Sequence, residues 1–502
     1  MKKKKKCITA LILMVLLTFQ VGIYGCANNN NSTDGRSDMS TEYDYIGKSN
    51  KKFEFHTFVG VPSNMRIYNA SETSYYIKNL SDVEFDNYYK ELYEAGFTIA
   101  DAPYYVEGEE HNLRMLNAAN KYGMKQLIGE VVDDNGFSLL GLLRGCYTDP
   151  NGKNYGTYTD DEVRALLKKF MNPYKDHPAF YGLSYWDEPS SIYYDNVARA
   201  KRLFEEVCPG KILYVNLYPI TTDISALGYK DSSDRVKYAT DFVEKVNLPF
   251  ISYDRYCLSY DSNKNVKIEE DFLYNMQVYR QAADIDGRDL WTYLLSTGHS
   301  SGGKEFAKQN SISSFRWQVN SFLAFGGSGI SWFTVFPPAA VDSYGTKFGV
   351  GLYDRQGRKT ESYYFVKAVQ EEVHSFESVY FNFDWKNVIT VLGSDNEDGF
   401  CPSFDYLDEN FAITKHDRIA DYKCSQDTLI GCFKDKEGND GFMITNYANP
   451  TAEKKDKVEI TFNDAKAVAV YRLTEKRIIK LDRNKFEMTL LPGEGIFVIP
   501  LN

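Results

Sequence analysis

Two adjacent carboxylates, Asp187 and Glu188, close the stretch Tyr181-Gly-Leu-Ser-Tyr-Trp-Asp-Glu-Pro189, which is otherwise apolar and aromatic. Pro189 cannot donate to a strand ladder and fits the first turn of a helix, so the pair falls at the C-terminal tip of a strand. A carboxyl beside a second negative charge and an apolar wall, here Asp187 and Trp186, holds its proton to higher pH. Such an acid can protonate a leaving group near neutrality. Glu188 is therefore the candidate general acid. Its working partner would be a second carboxylate acting as nucleophile or base. Asp254 and Glu130, near the ends of two further apolar runs, are the candidates for that role. The competing assignments are a helix cap for Asp187 or Glu188 and salt bridges or sugar-hydroxyl binding for the other two.

The elements that must position these groups follow from the periodicity. Strand-like runs cover Phe53 to Val59, Phe97 to Ala102, Lys125 to Val131, Tyr181 to Trp186, Ile212 to Leu217, Phe250 to Tyr256, Leu290 to Leu295 and Gly329 to Phe336. Each is followed by an amphipathic run at helical spacing, from Val83 to Ala95 through to Tyr363 to Ser378. Eight β-then-α units predict an α/β fold, a (β/α)₈ barrel over residues 51–382. An open doubly wound sheet is disfavoured, because no Gly-rich phosphate loop follows the first strand. The stretch Phe137 to Thr159 reads as an insertion after the third strand. Beyond residue 382 short alternating runs are separated by Asn, Asp, Gly and Pro turns, which predicts a C-terminal antiparallel β-sandwich over residues 383–502.

A barrel gathers the C-terminal ends of its strands into one mouth. Those ends carry Asp101, Glu130 with Asp133 and Asp134, Asp187 with Glu188, Asn216 with Tyr218, Asp254 with Tyr256, Ser296 with His299, and Trp332 with Thr334. Trp186, Trp291 and Trp332, three of the five tryptophans, lie in or beside the strands. Carboxylates with flat apolar rings suit a sugar, and cleavage of a glycosidic bond needs one protonated and one ionised carboxyl. The candidate substrate-binding set is Asp187, Asn216, Tyr256, Trp186, Trp291 and Trp332, with His299 read as a loop histidine. No cofactor is implied, and no cysteine pair has metal-ligand spacing.

The chain opens with Lys2 to Lys6, then the apolar run Ile8 to Ile23, then Ile23-Tyr-Gly-Cys26. That order is the form of a lipoprotein signal over residues 1–25, with Cys26 as the lipidated end of the mature chain. Residues 26–50 are Asn/Ser/Asp-rich and read as a flexible tether. The expected location is the extracytoplasmic face of the cell membrane, held by the lipid. The net charge of −11, with both signs mixed along the chain, argues against a nucleic-acid partner. In an exported protein Cys424 would be the first to pair, with Cys432 or Cys401.

The stretch His177-Pro-Ala-Phe-Tyr-Gly-Leu-Ser-Tyr-Trp-Asp-Glu-Pro189 resembles the fourth-strand motif of a clan of retaining glycoside hydrolases that includes the family 42-type β-galactosidases. In that motif an Asn-Glu-Pro or Asp-Glu-Pro carries the acid/base glutamate. Leu213-Tyr-Val-Asn-Leu-Tyr-Pro219, Ile251-Ser-Tyr-Asp-Arg-Tyr256 and Gly329-Ile-Ser-Trp-Phe-Thr334 are similar to the fifth, sixth and eighth strands of such barrels. The resemblance implies a (β/α)₈ hydrolase with Glu188 as acid/base. It also implies a nucleophilic glutamate at the end of the seventh strand, where Asp289-Leu-Trp-Thr-Tyr-Leu-Leu-Ser-Thr-Gly298 has none. The expectation is a surface-anchored glycoside hydrolase that draws its second carboxylate from another strand. The alternative is a glycan-binding lipoprotein that keeps the barrel without the chemistry.

Overall fold

The computed structural model describes residues 47–68, 74–103, 108–132, 136–145, 153–301, 304–307, 311–338, 345–397 and 399–502. The leader, Cys26 and nearly all of the tether lie outside the described residues, as do Asp133, Asp134 and Cys146.

Eight parallel strands form the central sheet: β1 (Glu54–Thr57), β2 (Ile99–Ala100), β3 (Lys125–Ile128), β4 (Phe180–Asp187), β5 (Ile212–Asn216), β6 (Phe250–Asp254), β7 (Asp289–Leu295) and β8 (Gly329–Phe333). Their order is β5-β4-β3-β2-β1-β8-β7-β6. The open ends meet just beyond β5, where Leu217 bridges Tyr253 in parallel. The Leu217 N–H donates to the Ser252 carbonyl at 2.8 Å, and the Asp254 N–H to the Leu217 carbonyl at 3.3 Å. The sheet is thereby closed into the barrel that the eight-fold alternation predicts.

A helix follows each strand: α1 (Asp82–Glu94), α2 (Glu109–Lys121), α3 (Asp160–Met171), α4 (Tyr194–Val207), α5 (Lys237–Val246), α6 (Phe272–Asp284), α7 (Ile312–Ala324) and α8 (Glu361–Tyr380). Local chemistry starts them well. Ser81 with Glu84 and Thr159 with Glu162 form capping boxes that satisfy the first amides of α1 and α3. On α4 the residues Tyr194, Val197, Ala200, Leu203 and Phe204 are buried, so the three-and-four spacing seen in the sequence is the face turned to the sheet.

Inside the barrel, alternate residues of each strand point inward and stack in layers. The floor is apolar: Ile99, Leu127, Ile212, Phe250 and Trp291 pack together, with Trp291 stacked on Phe250 at 4.4 Å. Gly329 makes room for that indole, since a Cβ there would fall 2.6 Å from it. The layer above is polar, with His56, Tyr214, Ser252 and Ser331 all buried.

Three mouth loops are tied together by a five-stranded antiparallel sheet that the sequence reading missed. Its strands are Leu258–Tyr260, Val266–Ile268, His299–Ser301, Lys304–Phe306 and Lys347–Phe348. Its fixed point is Glu269, which accepts from Arg255 at 2.9 Å and also holds Ser259 and Lys304. The insertion after β3 likewise contains a helix, Leu139–Arg144.

The C-terminal part is a sandwich. One sheet runs β9 (Phe383–Val391), β11 (Thr428–Asp435), β12 (Asp440–Asn446), β17 (Gly495–Leu501), β14 (Ala467–Arg472), β15 (Glu475–Lys480); the other runs β10 (Ile419–Cys424), β13 (Asp456–Phe462), β16 (Lys485–Leu490). All neighbours are antiparallel, and Ile430, Ile444, Val458, Ile460, Phe486 and Val498 fill the space between. The sandwich grips α7: the Trp317 indole donates to the Tyr447 carbonyl at 3.1 Å and the Trp385 indole to the Ala324 carbonyl at 2.9 Å. The expected disulfide is absent among the described residues. Cys208, Cys257, Cys401, Cys424 and Cys432 are all free and buried. Cys424 and Cys432 serve as small apolar members of the sandwich core.

Candidate active site

Strand β4 carries a bulge between Ser184 and Trp186 in its pairing with β5. The extra residue lets two side chains three apart, Ser184 and Asp187, both face the interior. It also turns Trp186 onto the rim, half-buried, with its ring 5.2 Å from that of Tyr193. Beyond the strand Glu188 adopts φ +55°, a left-handed conformation that costs a non-glycine residue about 1–3 kcal/mol. Two hydrogen bonds hold it there. The Glu188 N–H donates to the Asn216 carbonyl at 2.8 Å, and the Tyr238 hydroxyl donates to the Pro189 carbonyl at 2.7 Å.

Asn216 organises the mouth. Its amide nitrogen donates to Asp187 Oδ1 at 3.2 Å and to Asp254 Oδ1 at 3.3 Å, so those two oxygens stand no more than about 6.5 Å apart. Its amide oxygen accepts from the Ser252 hydroxyl at 3.1 Å. From Ser252 a chain of contacts crosses the barrel, through Tyr214 at 2.9 Å, Ser331 at 3.1 Å and His56 Nδ1 at 2.5 Å. His56 Nε2 lies 3.2 Å from an Asp101 carboxylate oxygen but makes no hydrogen bond, and Asp101 accepts from the Ser184 hydroxyl at 3.2 Å. The upper barrel is thus crossed by one polar chain from Asn216 to His56, and Asn216, whose donors and acceptor are all engaged, is a positioning residue within it.

Above this polar chain, the carboxyls of Glu188 and Asp254 face each other within hydrogen-bonding reach. Burial, the facing Asp254 and the neighbouring Asp187 push Glu188 well above the ordinary carboxylate range. Burial and the Asp187 charge raise Asp254 to about 7, against the opposing pull of hydrogen bonds from Glu188 and Asn216 and of the Arg255 charge. Asp254 is 8% exposed, so loss of hydration is a sufficient cause. Asp187 keeps a water-facing edge in the mouth and rises less, to about 6. Its surrounding protein and the Asp101 charge drive it up, while the Asn216 hydrogen bond and Arg144 hold it back. The Arg255 guanidinium is bound to Glu269 and Asp271, so the one arginine next to Asp254 in sequence is already paired.

One side of the mouth is a wall of half-buried rings: Phe58, Tyr256, His299, Phe306, Phe333 and Phe348. Phe58 stacks on Phe333 at 5.6 Å, and His299 lies against Phe306 at 4.7 Å. Burial and the charges of Asp254, Asp187 and Glu188 push the Tyr256 hydroxyl well up, which places this end of the wall beside the carboxyl pair. Burial lowers His299 to about 4, so it stands neutral and belongs to the wall.

The fold therefore brings Asp187, Glu188, Asn216, Asp254 and Tyr256 together, with Trp186 on the rim. It does not bring three others. Glu130 accepts from the Leu140 amide at 3.0 Å, a cap on the Leu139–Arg144 helix, and no described contact joins it to the Glu188–Asp254 pair. Trp291 lies in the barrel floor, 3% exposed, below the polar layer. Trp332 is fully buried and faces outward, its indole donating to Gln370 of α8 at 3.0 Å. Alternation explains that correction: with Ser331 pointing in, Phe333 points in as well, and the ring offered to the mouth is the phenylalanine. The tip of β7 holds Ser296, whose hydroxyl donates to the Thr334 carbonyl at 2.9 Å, and Asp254 of β6 supplies the facing carboxyl. Sequence reasoning missed His56, Ser184, Tyr214, Phe58 and Phe333.

No family model matches the chain, and no curated protein matches it. Three solved structures to which it is similar are glycoside hydrolases. A family 5 glycoside hydrolase from Bacteroides vulgatus ATCC 8482 is 12% identical over 90% of this chain and 89% of that one, with a TM-score of 0.49. A family 39 glycoside hydrolase from Bacteroides cellulosilyticus WH2 is 11% identical over 90% and 81%, with a TM-score of 0.45. A family 27 β-L-arabinopyranosidase from Geobacillus stearothermophilus is 12% identical over 90% and 96%, with a TM-score of 0.43. Likeness at that level carries no argument about this chain, so the function must be read from the geometry of its own site.

Proposed function

We propose that this chain is a glycoside hydrolase cleaving O-glycosidic bonds of an extracellular oligo- or polysaccharide, with Glu188 as general acid/base and Asp254 as its partner. The observation that carries the reading is the pairing of half-buried Glu188 with buried Asp254, both carboxyls raised, beside a wall of aromatic rings at the barrel mouth. Near neutrality Glu188 still holds a proton to give to the glycosidic oxygen, while Asp254 is partly ionised. Phe58 and Phe333 offer flat faces to the C–H side of a sugar ring, and Asp187 has an oxygen left for its hydroxyls.

The spacing favours retention. Inverting enzymes hold their carboxyls about 6.5–9.5 Å apart to admit a water and retaining ones about 5–5.5 Å, and a Glu188–Asp254 pair near enough to interact through a hydrogen bond belongs with the closer spacing. Substrate entering between them would part the pair and put Asp254 next to the anomeric carbon. Asp254 would then form a glycosyl ester as the leaving group takes the Glu188 proton. Water, deprotonated by Glu188, would release the sugar with its configuration kept. The test is product formation from aryl glycosides and natural polysaccharides, with the anomer formed first identified by proton NMR. Net retention supports the assignment, and inversion would replace Asp254 as nucleophile.

The glycan-binding alternative has one observation in its favour, the absence of a carboxyl at the tip of β7. It requires saccharide binding without product at high protein concentration and long times. A lipid on Cys26, and with it a place on the outer face of the membrane, belongs to the same proposal and is supported by the leader sequence. Mass spectrometry of the mature N-terminal peptide tests it.

A further inference from the structure

A second concavity, of about 900 Å³, opens on the sandwich between the end of β9, β10, the start of β13 and the short helix Pro402–Asp405. Its floor is apolar, formed by Val391, Phe404 and Cys424, and Leu392 at its edge is 47% exposed. Phe400 and Tyr406, which flank the short helix, are 53% and 49% exposed. Leu392 thus lines the cleft, and Phe400 and Tyr406 lie within fifteen residues of it in sequence, on either side of the helix that does.

The rim is polar in a way the fold does not use. Lys423, Lys455 and Lys457 line the cleft, all are exposed, and none is in an ion pair among the described residues. Asp395, Asp405 and Glu459 line the same cleft, Asp395 accepting from Gln426 at 3.2 Å and Glu459 paired with Lys485 at 2.9 Å. Free ammonium donors and carboxylate acceptors around an apolar floor match the two faces of a pyranose, which is C–H in the middle and hydroxyl at the edge. The same short segment touches the roof of the mouth. The Ser403 hydroxyl and the Tyr406 hydroxyl lie 3.5 Å from the Glu269 carbonyl and the Glu270 carboxylate, and Glu269 is paired to Arg255 beside Asp254.

We propose that this cleft is a non-hydrolytic saccharide-binding site that holds a distant stretch of the same polymer the barrel cleaves. The proposal rests on the glycosidase reading for its choice of ligand. Its charge and shape chemistry are independent of Glu188, so the two can fail separately.

The test uses Glu188→Gln protein run through native gels containing soluble β-glucan, xylan, galactan or polygalacturonate. It is compared with the same protein carrying Lys423→Ala and Lys457→Ala, and separately Leu392→Asp. All three positions are exposed, and thermal melts check that the variants fold. With the lysines removed, retention by the bound polymer should weaken about tenfold, while the same changes in active protein leave aryl-glycoside turnover unaltered and raise KM only for polymer. Equal retention of cleft variants and parent overturns the site, and so does a protein that no polymer in the panel retards. Absence of aryl-glycoside and polymer hydrolysis with cleft-dependent retention intact sinks the hydrolase reading and leaves the cleft standing.

Discussion

Replacing Asp254 with Asn tests the carboxyl pair without any knowledge of the substrate. Asn keeps an oxygen for Asn216 and offers an N–H to Glu188, so the contacts survive and only the charge is removed. In the folded protein Asp254 sits at about 7, well above its ordinary 3.8 in the unfolded chain. The folded state therefore binds the proton more tightly than the unfolded one. The associated stability is present at low pH and is lost as pH climbs from the unfolded to the folded value. Between about pH 5 and about pH 8 wild type should lose roughly two pKa units of this linkage, about 3 kcal/mol, a loss the Asn variant does not share. For a folded unit of some 450 residues that is about 3 °C in Tm. Thermal unfolding followed at both pH values should show the variant gaining on wild type at the higher one. A difference in Tm that is the same at both, or that shrinks as pH rises, would refute a buried Asp254 held above its ordinary range.

Other changes separate the roles argued above. Tyr238→Phe removes the hydrogen bond to the Pro189 carbonyl that braces the Glu188 corner; it should cost about 1 kcal/mol and lower kcat about tenfold with KM nearly unchanged, read by melts and steady-state kinetics. Asp101→Ala strips the Ser184 hydroxyl and the Ala102 amide of their acceptor, and urea unfolding should show a loss of about 1–3 kcal/mol. Phe333→Ala and Trp332→Phe form a contrasting pair. The first should raise KM, while the second should leave KM alone and cost about 1–3 kcal/mol through the orphaned Gln370.

What could be read in the sequence followed from periodicity. The barrel strands and helices were visible because each repeats one apolar period for several turns or pleats, as α4 does with Tyr194, Val197, Ala200, Leu203 and Phe204. Elements without such a period were not. The mouth sheet is built of strands two or three residues long, and β15, Glu475–Lys480, is a charged edge strand whose pattern is that of a surface loop. The carboxyl constellation was half legible: composition at strand tips pointed to Asp187, Glu188 and Asp254, but distance decides which of them meet. Glu130 shares the same sequence signal and went to a helix cap. The bulge in β4 is invisible in the residue types, yet it determines that Asp187 faces inward. Trp332 was misread although the information was present, since one step of alternation from Ser331 gives Phe333. The polar chain of His56, Ser331, Tyr214 and Ser252 takes one residue from each of four strands, so no local pattern announces it.

The central claim is that Glu188 supplies a proton to a departing glycosidic oxygen. Its most direct test is turnover of natural saccharides and of aryl glycosides with good leaving groups by wild type and by Glu188→Gln. The account predicts a loss of about 10²–10⁴-fold on natural saccharides, smaller in the first step on the activated aryl substrates, which need little protonation. Full turnover by the variant, or no product from wild type while saccharide binding is retained, would contradict it.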